Sequence, residues 1–220
     1  DFLTPGAVQQ AAVTPGGDSV RYGSGALGGV IRLDSRWRDG PGTSVRGQVG
    51  LGAFQTVRAR GGLWSRRGAW DGLAAVDLLQ TAGPREGAGG QRWSAQTAGR
   101  WRGPGRLTLT ARAWGGRIRS TDPGHIDRPT PEAGVVADRA GASAGLTRPL
   151  GPGTLRVRAW TTGGIHRFAD GSRVRDLTVG AYAEQEQPML DGVRVVAGLW
   201  TDARAGDWRR SEGGTQRIPS

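Results

Sequence analysis

The sequence predicts an all-β fold, an antiparallel transmembrane β-barrel of about nine strands, and three observations carry that expectation. From residue 44 onward apolar and polar residues alternate with period two, and within most runs arginine holds one phase while aliphatic residues hold the other. The runs are mostly ten to thirteen residues long. That is near the ~9–11 tilted residues that cross a bilayer and longer than the ~5–6 of a soluble sheet. The connections alternate short and long, the pattern of periplasmic turns opposite outer loops.

The first such strand spans residues 44–53, with Val45, Gly47, Val49 and Leu51 in one phase and Arg46 and Gln48 in the other. Phe54-Gln55 reverses the chain tightly. Residues 56–65 set Val57, Ala59, Gly61 and Leu63 against Arg58 and Arg60, and residues 69–79 set Trp70, Ala74, Val76 and Leu78 against Asp71 and Asp77. After a loop at 81–90, the strand at 91–102 opposes Trp93, Ala95, Thr97 and Trp101 to Ser94, Gln96 and Arg100. Gly103-Pro104-Gly105 is a turn. Residues 106–118 follow, then the longest loop, 119–137. Residues 138–148 are built of small side chains and form the sixth strand. Residues 154–166 oppose Leu155, Val157 and Ala159 to Arg156 and Arg158. The eighth strand, 173–187, carries Leu177, Val179, Ala181 and Ala183 against Asp176, Thr178, Tyr182 and Glu184. The ninth, 192–204, carries Val193, Val195, Ala197 and Leu199 against Arg194.

The arginine phase sets which face meets lipid. An arginine on the lipid side near the bilayer midplane costs roughly 2–4 kcal/mol. Turning both Arg156 and Arg158 to lipid costs about twice that, comparable with much of a domain's net stability. The aliphatic phase therefore faces out and the arginine phase in. Asp71, Asp77, Asp176 and Glu184 share the inner phase and are placed to pair with those arginines. The formal charge is +11, so the interior is expected to be polar and net basic. Trp70, Trp93 and Trp101 fall on the apolar phase near strand ends, as girdle residues do. A nucleic-acid-binding sheet instead puts its aromatics among its arginines, so nucleic acid is not an expected partner.

Upstream lies Tyr22-Gly23-Ser24-Gly25-Ala26-Leu27-Gly28-Gly29-Val30-Ile31, where four of ten residues are glycine. Glycine suits tight turns and close backbone approaches, and the run ends in a short apolar strand. With the barrel pattern following it, this stretch resembles the end of the plug domain of TonB-dependent outer-membrane receptors. The matching residues are Tyr22, Gly23, Ser24, Ala26, Gly28, Gly29, Val30 and Ile31. The strand at 7–13 and the turn at 14–17 stand upstream of it, without the arginine and acidic residues usual there. The division expected is residues 1–36 as the C-terminal end of a plug, 37–43 as linker and 44–220 as a partial barrel. The first residues carry no visible signal peptide and the last do not read as a closing strand, so an internal piece of a longer protein is expected.

The resemblance implies a receptor in the outer membrane of a Gram-negative bacterium. It implies energy-coupled import of a scarce ligand, a ferric siderophore or a cobalamin-like molecule, with the TonB complex as partner. A basic lumen favours a small anionic or metal-chelate ligand. Arg112, Arg156, Arg158 and Arg194 are the lumen candidates, and each has the plainer alternative of pairing with a carboxylate. Two other readings stay open, a passive porin-like barrel and a soluble arginine-rich domain that binds polyanions.

No enzyme is expected. Cysteine is absent, which removes disulfides, thiolate metal sites and cysteine nucleophiles. Gly23-Ser24-Gly25-Ala26-Leu27-Gly28 fits a dinucleotide-loop spacing but precedes a strand, not a helix. Asp122, His125 and Asp127 are too loosely spaced for a metal centre, and no cofactor is expected.

Overall fold

A computed structural model describes residues 4–16, 28–122, 124–125, 128–129, 133–190, 193–210 and 215–217, with 128–129 and 215–217 as backbone only. Nine long strands form one antiparallel meander in which each pairs with its neighbour in the chain. They are β3 (Gly42–Gly52), β4 (Thr56–Arg67), β5 (Trp70–Thr81), β6 (Gly90–Arg102), β7 (Thr108–Thr121), β10 (Gly134–Leu150), β11 (Gly153–Phe168), β12 (Arg173–Leu190) and β13 (Val193–Arg209). The three-residue β14 (Thr215–Arg217) adds to β13. Within the loop after β7, β8 (Gly124–His125) pairs with β9 (Arg128–Pro129). A separate hairpin, β1 (Val8–Pro15) with β2 (Gly29–Ser35), lies against the inner side of the sheet.

Every strand expected from the alternation is present, and the last four are longer than expected, at 16 to 18 residues. The physical reason is that backbone pairing continues after the apolar pattern stops. Arg117 pairs with Asp138, and Arg175 with Asp207, in ladders that run on without a register shift at this end. The small-residue stretch in the middle of the sequence is the 17-residue β10, laddered on both sides to β7 and β11.

Exposure follows the phase. In β5, Trp70, Ala74, Val76 and Leu78 are exposed, while Asp71, Leu73, Ala75 and Asp77 are buried. Leu73 and Ala75 are apolar residues on the inner phase. A single 3-10 turn, Pro5–Ala7, covers them, and Ala7 packs with Trp64, Leu73, Ala75 and Ala98. Thr4, just before that turn, donates from Oγ1 to Ser94 Oγ at 3.1 Å. The buried core therefore sits inside the curve of the sheet, and the outer face carries the exposed aliphatic band.

The tight reversal is the three-residue connection 53–55 between the paired Gly52 and Thr56, and within it Phe54 and Gln55 both hold positive φ, 57° and 55°. Two successive residues at positive φ suit strand twist, and the favoured pair is Asn-Gly. Here Thr56 closes it, donating from Oγ1 to Ala53 O at 2.6 Å, and Phe54 O accepts from Ala82 N at 2.9 Å.

Candidate functional site

The inner face is laced by carboxylates that gather arginines from adjacent strands. Asp77, fully buried, accepts from Arg58 (3.1 Å), Arg60 (2.8 Å) and Arg92 (2.8 Å). Asp71 does the same for Arg66 (2.6 Å), Arg100 (2.8 Å) and Arg102 (3.1 Å). The geometry follows from the ladder. On one face of an antiparallel sheet, directly opposite and diagonal residues lie within reach of long side chains, and Arg60 is opposite Asp77 while Arg100 is opposite Asp71. Further along, Arg139 donates two bonds to Asp176, at 2.9 and 2.6 Å.

The four candidate arginines divide in two. Arg156 donates from Nη1 to Glu184 and Glu186, at 2.9 Å each, and Arg194 reaches Glu186 at 3.1 Å. These two have the plainer role, pairing within the wall. Among the described residues Arg112 and Arg158 make no salt bridge, and both line a cavity of about 730 Å³ between the β1–β2 hairpin and the wall. The hairpin side of that cavity is Ala7, Val8, Leu33, Asp34 and Ser35.

The opposite side of the cavity is aromatic. Trp160 and Trp200 have ring centroids 4.5 Å apart, and Tyr182 stacks on Trp200 at 5.7 Å with planes 6° apart. The Arg158 guanidinium carbon lies 6.0 Å from the Tyr182 ring centroid, within range of a cation–π contact. Trp200 Nε1 donates to Asp202 at 3.2 Å, which settles its polar end. Inner-phase glycines make room for the rings. Gly180 is opposite Trp160, Gly141 is opposite Trp114, and a Cβ at either position enters the indole. Charge from two arginines beside flat apolar rings suits an anionic solute with planar groups.

Trp160 and Trp200 were missed at the level of the sequence, although Trp160 shares the parity of Arg158 and Trp200 that of Arg194. The outer-phase tryptophans carry the plainer signal, because they fall near strand ends as girdle residues do. Those are where expected, with Trp70 and Trp93 exposed and Trp70 lying 6.2 Å from Trp101 at the short-turn end. Of the glycine-rich motif, Gly28 and Gly29 are described, and Gly29 starts β2 at φ 144° with no room for a Cβ against Thr14 O. Tyr22, Gly23, Ser24 and Ala26 lie outside the described residues, as does Asp127. Asp122 Oδ1 accepts from Gly124 N at 3.0 Å, and among the described residues no three His, Asp or Glu side chains gather as a metal site.

No protein-family model matches this chain, and no curated protein matches its sequence. Solved structures do resemble it. The FrpB iron transporter from Neisseria meningitidis (F3-3 variant) superposes with a TM-score of 0.71 at 15% identity, over 94% of this chain and 38% of that one. The pyoverdine outer membrane receptor FpvA from Pseudomonas aeruginosa PAO1, bound to pyoverdine, superposes with a TM-score of 0.61 at 12% identity, over 92% of this chain and 36% of that one. At such identities the likeness is one of fold. The fold is that of the barrel of TonB-dependent outer-membrane receptors. This chain spans little more than a third of the length of the two receptors it superposes on.

Proposed function

We propose that this chain belongs to an outer-membrane receptor that imports a scarce anionic or metal-chelate ligand, of the ferric-siderophore or cobalamin-like kind, by transport coupled to the TonB complex. In this reading residues 1–36 are the end of the plug, 37–43 the linker and 44–220 part of the barrel, in the outer membrane of a Gram-negative bacterium. The glycine-rich motif Tyr22, Gly23, Ser24, Ala26, Gly28 and Gly29 belongs to the plug. The linker's Trp37 lies under the Arg100 guanidinium at 4.5 Å, which supports a fixed passage from plug to wall.

The observation that carries the reading is the cavity itself. Arg112 and Arg158 face it with no salt bridge among the described residues, beside Trp160, Tyr182 and Trp200, and Asp34 on the hairpin side acts on Arg112 through its charge alone. Arginines that served only to hold the wall would be paired, as Arg156 and Arg194 are.

The test is uptake of a radiolabelled ferric chelate by cells whose only such receptor is the full-length protein. Uptake should require TonB. The double variant Arg112→Ala/Arg158→Ala should lower it at least about tenfold, as loss of two charge-assisted contacts implies, with the folded barrel still in the membrane. Uptake that continues without TonB and ignores both substitutions favours the passive porin-like barrel and overturns the proposal.

A further inference from the structure

Three arginines meet where the end of the β1–β2 hairpin reaches the wall. Arg36 directly follows β2, Arg46 lies on β3 and Arg60 on β4. With Pro5, Gly6 and Trp64 they line a further inner cavity, of about 480 Å³, and none of its lining residues is Asp or Glu. Among the described residues Arg36 and Arg46 make no ion pair. Arg60 gives Nε to Asp77 at 2.8 Å, but Asp77 is shared with Arg58 and Arg92. One carboxylate against three guanidiniums leaves Arg60 only partly neutralised.

Two donors at this cavity are buried and idle. Trp64 is 4% exposed, and its Nε1 has no hydrogen-bond acceptor. Arg36 Nε is likewise buried without one. A buried N–H that lacks an acceptor has lost its water and gained nothing in return, and native interiors seldom keep one. Two such groups beside one cavity call for an acceptor between them.

The donors are also held in place before anything binds. Arg36 is pinned by its own backbone amide, which donates to Ala7 O at 2.8 Å. Asp77 braces Arg60. The Trp64 ring lies over Gly62, where a Cβ would enter the indole, and it packs with Ala7, Leu73 and Ala75. Gly62 is opposite Arg46 in the ladder, so the missing side chain that seats the indole also leaves space beside Arg46. A site whose donors are already ordered loses little entropy on binding.

We infer that this cavity binds a tetrahedral oxyanion, phosphate or sulfate, and that the anion ties the segment at Arg36 to β3 and β4. Arg36 and Arg46 supply charge-assisted hydrogen bonds, Trp64 Nε1 supplies a neutral one, and Arg60 adds charge from the wall. A guanidinium fork fits phosphate oxygens two at a time, and sulfate presents the same tetrahedron. Four oxygens can answer donors that arrive from three separate segments. The cavity exceeds the volume of a bare anion, which leaves room for waters that bridge it to the farther donors. The inference does not rest on the import reading, since this cavity shares no lining residue with the one between Arg112 and Trp160.

The test is equilibrium dialysis of the full-length protein, in neutral detergent, against radiolabelled phosphate or sulfate at an ionic strength held constant with chloride. The parent should retain one equivalent of either oxyanion that the double variant Arg36→Gln/Arg46→Gln lacks. The double variant should bind at least about a hundredfold more weakly, roughly tenfold for each charge-assisted contact. Trp64→Phe keeps the ring and loses the N–H, so binding should weaken about three- to tenfold. Arg148→Gln, an exposed arginine at the far end of β10, should leave it unchanged. The parent's unfolding midpoint should rise with phosphate, as for any ligand that binds only the folded state, and the double variant's should not. Neither substitution breaks an ion pair among the described residues, so the two midpoints should agree in phosphate-free buffer. Oxyanion binding that survives in both variants overturns the inference. A parent that binds none also overturns it, and a double variant that then unfolds earlier in phosphate-free buffer would place a carboxylate of the protein itself in the cavity.

Discussion

Asp77 shows what one side chain settles in a sheet of this kind. It is fully buried, and three arginines from β4 and β6 converge on it. Asp77→Asn removes the charge that holds them and leaves three guanidiniums facing each other. The loss should be at the lower end of the ~3–5 kcal/mol seen when a buried pair loses one partner, because these arginines keep about a third or less of their exposure. It would be measured as a fall in the urea midpoint of the folded protein in detergent. A wild-type midpoint in this variant would mean that the arginines are solvated independently. Gly180 matters in the opposite sense, by lacking a side chain. Gly180→Ala pushes into the Trp160 ring, so Trp160 fluorescence should shift and the Trp160–Trp200 stack should open, readable by near-UV circular dichroism. In the β11–β12 loop, Asp170 accepts from Ser172 Oγ at 2.5 Å and Ser172 N at 2.8 Å. The Ser172 hydroxyl, and then its backbone amide, holds the Asp170 carboxyl below its ordinary range. A depressed carboxylate stabilises the folded loop fully above its unfolded pKa of about 3.9, and that contribution is lost as pH falls through the lower folded value. The Ser172 amide should therefore lose hydrogen-exchange protection below about pH 4 in the parent. In Asp170→Asn its protection should be independent of pH.

Individual strands are constrained by the face they present. In β11, Val157 is exposed on the outer face and Arg158 points to the cavity. Val157→Arg puts a guanidinium in the apolar band at a cost of roughly 2–4 kcal/mol, so less folded barrel should accumulate in the membrane fraction. The same substitution at Thr162, on the inner face, should be tolerated far better. Spin labels at Leu109 and Val157 in bilayers should report hydrocarbon contact, and water contact at both would reverse the facing of every strand. The β3–β4 turn sets a second element-level constraint. Phe54 and Gln55 both hold left-handed backbone, which costs roughly 1–2 kcal/mol per non-glycine residue. Phe54-Gln55→Asn-Gly should stabilise the fold by roughly 1–2 kcal/mol, read as a higher unfolding midpoint, since glycine carries no such penalty and Asn-Gly is the favoured pair for two residues at positive φ.

The molecule taken whole has an inner side filled by ion pairs, a short buried core and an aromatic-walled cavity, and an outer side that only lipid or detergent satisfies. Val45, Val49, Leu51 and Leu199 are each more than 70% exposed. Among the described residues β3 is an edge strand with an unpaired side. Both features are aggregation hazards in water. Expressed by itself, residues 1–220 should pellet from aqueous buffer and be recovered only in detergent. A monomeric, detergent-free fraction would revive the soluble polyanion-binding reading.

The alternation in the sequence determined the number of long strands and which phase of each carries its apolar side chains. Period two has only two solutions, and burying arginine in hydrocarbon excludes one of them. It also pointed to Asp71, Asp77, Asp176 and Glu184 as partners for lumen arginines, because like parity on paired strands places them on one face. The tertiary structure alone decided what happens between strands far apart in the chain. It separated the paired Arg156 and Arg194 from the open Arg112 and Arg158, since that depends on which carboxylate the register brings opposite. It gathered Trp160, Tyr182 and Trp200 from three strands, and it laid Pro5–Ala7 over Leu73 and Ala75. Parity within one strand says which way a side chain points. Only the register between strands says what it meets there.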